Sequence, residues 1–250
     1  MLYTTALTYS LPAIFIDEPV LNEIQHKAIE SSPPELGYNQ TFPRAVVFGP
    51  PEYGGMAVPH QYTEMNLMKI EYLLMHIRNN SDLGKLFRIN LNWIPIYLGI
   101  STQLFEYQHE ITYLNNGFTH LHQFLLQMNT KLIFKNVYVP LMEREHNCCL
   151  MIATRDCAAH LSGNQKRHVN NWRLYFRVHK LSDTTDPIGT QVLPKCLTFP
   201  SDTDSPIRTS KLKWPRQQPP KCKASFQLWV KCLRTIFFTA RYFDHCARGL

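Results

Sequence analysis

Residues 42–59, FPRAVVFGPPEYGGMAVP, constrain the fold more than any other stretch of the chain. They place an apolar run (Ala45, Val46, Val47, Phe48), a Gly49-Pro50-Pro51 break and a Gly54-Gly55 pair close together, so the backbone must turn sharply at least twice between two helical patterns. The apolar run reads as a strand seated against the following helix. Gly49 and Gly54 have the five-residue offset of a phosphate-binding loop. Such a loop needs Lys and then Ser or Thr after its last glycine, and here Gly55-Met56 follows. The stretch is therefore read as a structural turn.

Helical patterns flank it. Before it, Val20, Leu21, Ile24 and Ala28 predict a helix over 17–31, capped by Asp17 and stopped by Ser31-Ser32-Pro33-Pro34, with a loop over 35–41. After it, 63–78 reads as a helix with Leu67, Ile70, Leu74 and Ile77 on one stripe and Leu73 beside it. Glu64, Lys69, Glu71 and Arg78 lie off the stripe, and Met65, Met68 and Met75 supply soft packing surface. Asn79-Asn80 ends that helix, and Ser81-Asp82 starts another through Leu83, Leu86, Phe87 and Asn90 that must end or kink before Pro95. The short polar turn makes the two helices antiparallel neighbours.

Further along, 106–117 is polar without a clear period, and Phe118, Leu121, Leu125 and Met128 suggest a short helix. Residues 132–139 read as a small hairpin. The cleanest strand signal is 172–181, where Trp172, Leu174, Phe176 and Val178 alternate with Arg173, Tyr175, Arg177 and His179 to give one wet, basic face. Prolines 187, 194, 200 and 206 among many Ser, Thr and Asp residues mark 182–210 as an extended linker. A last helix fits 225–242, with Phe226, Trp229, Val230, Leu233, Phe237 and Ala240 as its apolar stripe, flanked by Lys231, Arg234 and Arg241.

Composition sharpens the function classes. A 250-residue chain that is 44% apolar and 12% aromatic buries the core of one large domain or two small ones. Its net charge of +7 is uneven: residues 207–250 hold 10 Lys or Arg and 1 acid, against 16 basic and 18 acidic residues before them. Lys and Arg interleaved with Trp214, Phe226, Trp229, Phe237 and Tyr242 offer phosphate neutralisation and flat faces for bases, as non-specific strand binding requires. The alternative for the same stretch is a solvated basic face whose aromatics pack onto the body. The seven cysteines are odd in number and irregularly spaced, and no signal peptide is read at the start, so they are expected as reduced thiols of an intracellular protein, nuclear or cytoplasmic. The apolar start, interrupted by Pro12, is too short for a membrane span.

Catalytic candidates are weak. His146, Cys148, Cys149, Cys157 and His160 form the most metal-like cluster, but adjacent cysteines and one Cys-x-x-His pair give tetrahedral zinc ligation only awkwardly, so no metal site is assigned. His120 and His122 point to different helix faces, and Glu143 and Glu145 beside His146 read as a solvated helix end. No nucleophile elbow, catalytic Cys/His pairing or adjacent aspartate pair is present, so no catalytic residue is assigned.

Taken in order, LPAIFI, LNEIQ, LGYN, PRAVVFGP, YGGMAVPHQYTE, LLMHIRNNSDLGKLFRINLNW, WRLYFRVHKLSD and KLKWP resemble the region just after the polymerase domain in the reverse transcriptase-like polyproteins of retrotransposons. The resemblance spans most of the chain and is most specific over 43–82. Gly54-Gly55-Met56 is similar to a Gly-Gly-Leu-x-x-Pro element of non-LTR retrotransposon enzymes, with Met56 in place of leucine. The resemblance implies a thumb or connection region that grips primer-template. The family's paired-aspartate motif would lie upstream of Met1, so no catalytic residue carries over, and magnesium would belong to the missing polymerase palm.

The expected fold is thus mainly α with a small β component (α+β). It comprises a helical thumb/connection-like region over 1–160, a strand region over 161–181, a linker over 182–210 and a basic aromatic segment over 211–250. The expected role is that of a catalytically incomplete fragment of a retroelement reverse transcriptase, with no cofactor of its own and no membrane partner. It would bind RNA-DNA hybrid or single-stranded RNA or DNA non-specifically, in the company of the rest of such a polyprotein. The residues expected to do so are Arg44, Arg78, Lys85, Arg88, Arg173, Arg177, Lys211, Lys213, Trp214 and Arg216. A helical module docking on a partner protein through its last amphipathic helix, or a degenerate element product without function, are the alternatives.

Overall fold

The structure, a computed structural model, describes residues 16–35, 43–135, 148–186, 192–201, 215 and 218–238. Among these the chain is mainly α-helical, with nine helices, three 3-10 turns and no strand beyond two isolated bridges, Cys149↔Lys180 and Thr185↔Val192. It divides into two compact units, Met1–Phe87 and Arg88–Leu250. No helix among the described residues is long and apolar enough to cross a membrane.

In the first unit α1 (Glu18–Glu35) packs against α3 (Gln61–Arg78), with Ile16, Leu21, Tyr62 and Met65 at the contact. The Gln25 side chain ties the pair together, its Nε2 donating to Pro59 O (2.8 Å) and its Oε1 accepting from Gln61 N (3.1 Å). α1 runs to Glu35, so Pro33 and Pro34 lie in its last turn and not beyond its end. Each proline there removes a single backbone hydrogen bond.

The run read as a strand is a helix, α2 (Arg44–Phe48). A short apolar run cannot be assigned by periodicity alone, and Pro43, extended at the N-cap, presents the carbonyl that Val46 and Val47 bond back to. The sharp turns are real. Gly54 has φ +77, and the chain folds back so that Met56 N, Ala57 N and Val58 N donate to Val46 O, Gly49 O and Val47 O. With Gly54 N and Gly55 N bonded to Pro51 O and Pro50 O, these amides are turned onto the chain's own carbonyls and offer no phosphate cradle.

α3 buries Met65, Asn66, Lys69, Leu73 and Ile77, a face rotated from the expected one, since Leu67 is exposed. Asn80 (φ +48) turns the chain, and Ser81 caps α4 (Asp82–Leu98), its Oγ accepting from Gly84 N (3.1 Å). A Cβ at Gly84 would collide with the His76 carbonyl oxygen, so the glycine lets the α3–α4 turn close.

In the second unit α4 continues through Pro95 to Leu98, and does not stop before it. The Pro95 carbonyl accepts from Gly99 N (2.8 Å) and Ile100 N (3.0 Å), closing the helix at Gly99, which has φ +72. α5 (Gly117–Gln127), started by the reciprocal cap of Asn116 and Thr119, packs Leu121, Phe124 and Leu125 by the 3-10 turn Leu104–Glu106. Residues 131–134 form no strand. Phe134 exchanges two hydrogen bonds with the Gln103 side chain, 2.7 and 2.8 Å, and the rest of the expected hairpin lies outside the described residues.

Where a basic-faced strand was expected, the chain forms α7 (Gly163–Phe176), following α6 (Leu150–Cys157). Ser162 and Gln165 cap α7 reciprocally, and Val169, Trp172, Arg173 and Phe176 recur at helical spacing. Trp172, Leu174, Phe176 and Val178 are buried, but so are Arg173 and Tyr175 of the other set, with Arg177 and His179 half-buried, so the alternation does not mark a wet face. The segment expected as a linker joins the core instead: the turn Leu181–Thr184 and α8 (Pro194–Leu197) bury Leu181, Thr184 and Cys196. Last comes α9 (Lys223–Phe238), packed on α7 and α6.

Candidate nucleic-acid interface

The cations named from the sequence have different fates. Arg173 is fully buried on α7 and is not a strand-binding residue. Its Nε donates to Asn170 Oδ1 (2.8 Å), Nη1 to Val178 O (3.0 Å), and Nη2 to Ile96 O and Tyr97 O (2.7 Å each). Asn170 Nδ2 adds a bond to Tyr97 O (3.0 Å), and Tyr113 Oη donates to Leu98 O (2.9 Å). Together they satisfy the carbonyls that the end of α4 leaves without helical partners, and they put a positive charge at the negative end of its dipole. Burial pulls the guanidinium down to about 10, which leaves it charged at neutral pH. Gly99 is fitted to this cap, for a Cβ there would lie 3.0 Å from Arg173 Cζ.

Arg177 is half-buried at the C-cap of α7 (φ +58), where its N–H closes the helix on Arg173 O and Leu174 O. Arg78, Lys85 and Arg88 are exposed; Arg78 ends α3, and Lys85 Nζ pairs with Asp82 Oδ1 at 2.8 Å. Arg44 opens α2. Lys211, Lys213, Trp214 and Arg216 lie outside the described residues.

α9 supplies the described part of the basic tail, and its two sides are chemically separate. Phe226, Trp229, Cys232, Leu233 and Ile236 are buried. Trp229 Nε1 donates to Cys196 O (2.9 Å), Trp172 Nε1 donates to Ser225 Oγ (3.0 Å), and Phe226 packs edge-on to Trp172 and Phe199. The apolar stripe is therefore covered by the chain itself, and the aromatics Phe226 and Trp229 are core side chains with no face for a base. On the opposite side Lys223, Gln227, Lys231 and Arg234 are all exposed, within an arc of roughly 80° and a length of about 16 Å at helical geometry. α9 holds no acidic residue. Lys221 just before it and Lys195 on α8 are exposed as well. Lys223, Lys231 and Arg234 thus form a cationic row on a packed helix, with no ion pair to another described residue. They were missing from the residues picked out by sequence, although their spacing from the apolar stripe carries the signal.

Among the described residues one thiol sits beside a histidine. Cys149, the N-cap of α6, has its Sγ 3.5 Å from His179 Nε2. Burial pushes the thiol up, against the pull of the nearby Arg173 and Lys180 charges, and holds the imidazole down to about 3, where the same charges add to it. Both groups are thus neutral, the reverse of the thiolate–imidazolium polarity a cysteine nucleophile needs, and Cys149 is shut from solvent. Cys148 and Cys157 are half-buried, His160 is exposed and His146 lies outside the described residues. Among the described residues no three His, Cys, Asp or Glu side chains are grouped to hold a metal. The chain matches no protein-family description, no curated protein and no solved structure.

Proposed function

We propose that this chain binds nucleic acid through the phosphate backbone, without sequence choice and without catalysis of its own, as the thumb or connection piece of a retroelement reverse transcriptase would. The observation that carries the reading is the α9 row: Lys223, Lys231 and Arg234 are exposed on one side of a helix whose other side is locked in the core. Surface lysines on a free tail would lose entropy on binding a strand, whereas cations fixed on a packed helix present a preset charge line to phosphates. The mainly helical fold and the ten Lys or Arg of residues 207–250 point the same way. Arg78, Lys85 and Arg88 stay as exposed contributors, and Arg173 leaves the set.

Filter binding of the full chain to an RNA-DNA hybrid and to a single strand tests it. Affinity should fall by orders of magnitude between about 50 mM and 200 mM salt, with similar values for unrelated sequences. Replacing Lys223, Lys231 and Arg234 by Glu should weaken binding uniformly and flatten the log–log salt slope by about 2. Absent binding, salt-independent binding, or primer extension by the chain alone would each sink the reading. Docking on a partner protein through the apolar side of α9 loses its basis, because Trp229 and Leu233 on that side are already buried.

A further inference from the structure

The segment that closes the second unit around α6 is built with its charges out of balance. Residues 178–181 run back along 148–150: Leu150 N donates to His179 O (3.0 Å) and Leu181 N to Cys148 O (3.1 Å), pairing Cys149 with Lys180. Across this pairing the His179 ring meets the Cys149 thiol, an uncharged and weak hydrogen-bonding partner. Among the described residues the charged groups that act on the ring are cations: Arg173, buried on α7, and Lys180, buried on the segment itself. The carboxylate of the segment, Asp183, is turned to the backbone, where its Oδ2 accepts from His179 N (2.8 Å) and Lys180 N (2.9 Å). From α8 the thiol of Cys196 faces Asp183, and just before α6 the Cys148 Sγ donates to the Cys149 carbonyl (3.4 Å). A proton on the half-buried imidazole would therefore bring a third positive charge beside Arg173 and Lys180, with no acid among the described residues set against the ring.

We propose that His179 is an acid-operated latch, whose protonation opens the pairing of 148–150 with 178–181 and uncovers the Cys149 thiol. The closed segment holds the ring at about 3 against 6.5 for a free histidine. The open form takes up the proton more readily, so the latch is fully stable above the free value and weakens steadily as pH falls from there toward about 3. A single proton predicts that the open population rises about thirtyfold between about pH 7.5 and about pH 5.

The full chain is labelled with 4,4′-dithiodipyridine, which reacts with thiols in mild acid, at both pH values. The rate at Cys149 is read by mass spectrometry and divided by that of the urea-unfolded chain. Protection of Cys149 should drop about thirtyfold in the acid sample, with Cys196 and Cys232 still protected and near-ultraviolet dichroism unchanged. His179→Gln, which keeps an amide toward the thiol and cannot take a proton, should show pH-independent protection. Should that variant fail to fold, hydrogen exchange at the Leu150 and Leu181 amides of the unaltered chain gives the second reading, with the same pH dependence expected. Equal protection of Cys149 at both pH values overturns the latch. So does simultaneous exposure of all three buried thiols, or the same acid opening in folded His179→Gln.

Discussion

Arg173 shows how one side chain can be read correctly for charge and wrongly for place. The alternation of 172–181 puts it on a wet face only if the backbone is extended. The capping pair Ser162 and Gln165, ten residues upstream, commits the segment to a helix and drives Arg173 inward. Four acceptors wait there, the carbonyls of Ile96, Tyr97 and Val178 and the Asn170 side chain. The capping signal was present in the sequence. Two of the acceptors, the Ile96 and Tyr97 carbonyls, were not legible, because they lie more than 70 positions away on a helix that runs through a proline expected to end or kink it. Arg173→Met should therefore cost about 3–5 kcal/mol of stability, most of it from buried carbonyls left without donors. Arg173→Lys should recover only part, since an ammonium cannot fork to four acceptors. Urea unfolding followed by tryptophan fluorescence measures both, and a loss below about 1 kcal/mol for the Met variant would deny Arg173 its capping role.

At the scale of the element, the existence of helices was legible and their faces were less so. α3, α5 and α9 lie where periodicity put them, within a few residues. For α3, weighting the aliphatic side chains selected Leu67, Ile70, Leu74 and Ile77. The helix turns instead on Met65, Lys69, Leu73 and Ile77, because a lysine stem can line an apolar contact that a hydropathy stripe forbids it. Burial pulls Lys69 down to about 8. The two faces separate cleanly by mutation: Leu73→Ala should destabilise by about 2–5 kcal/mol and Leu67→Ala by no more than about 0.5 kcal/mol. Thermal unfolding of the two variants decides the register, and the reverse order would restore the face expected from the sequence. α9 poses no such ambiguity, since its apolar and basic residues segregate around the helix with no acidic residue to blur the boundary.

For the molecule as a whole, the charge asymmetry of the sequence invites a division into a folded body and a separate basic tail, and the packing of α9 denies it for that helix. The excess of cations in 207–250 includes those of α9, and α9 is also where the second unit places Phe226, Trp229, Cys232, Leu233 and Ile236. Even 182–210, which composition marks as a linker, brings Cys196 to the Trp229 indole and Phe199 to the Phe226 ring. Burial of these α9 side chains, at about 1.5–3 kcal/mol for each large one, adds up to much of the 5–15 kcal/mol by which a domain is stable. Removing the chain from residue 207 onward should therefore abolish the cooperative unfolding of residues 88–206 along with nucleic-acid binding. The Lys223, Lys231 and Arg234 to Glu variant should lose binding while keeping its transition within a few degrees, because exposed charges on one helix face contribute little to stability. Differential scanning calorimetry beside filter binding separates the two outcomes. A truncated chain that still unfolds with its full transition would show the basic segment to be an appendage, and the coupling of core and charge in α9 would have to be given up.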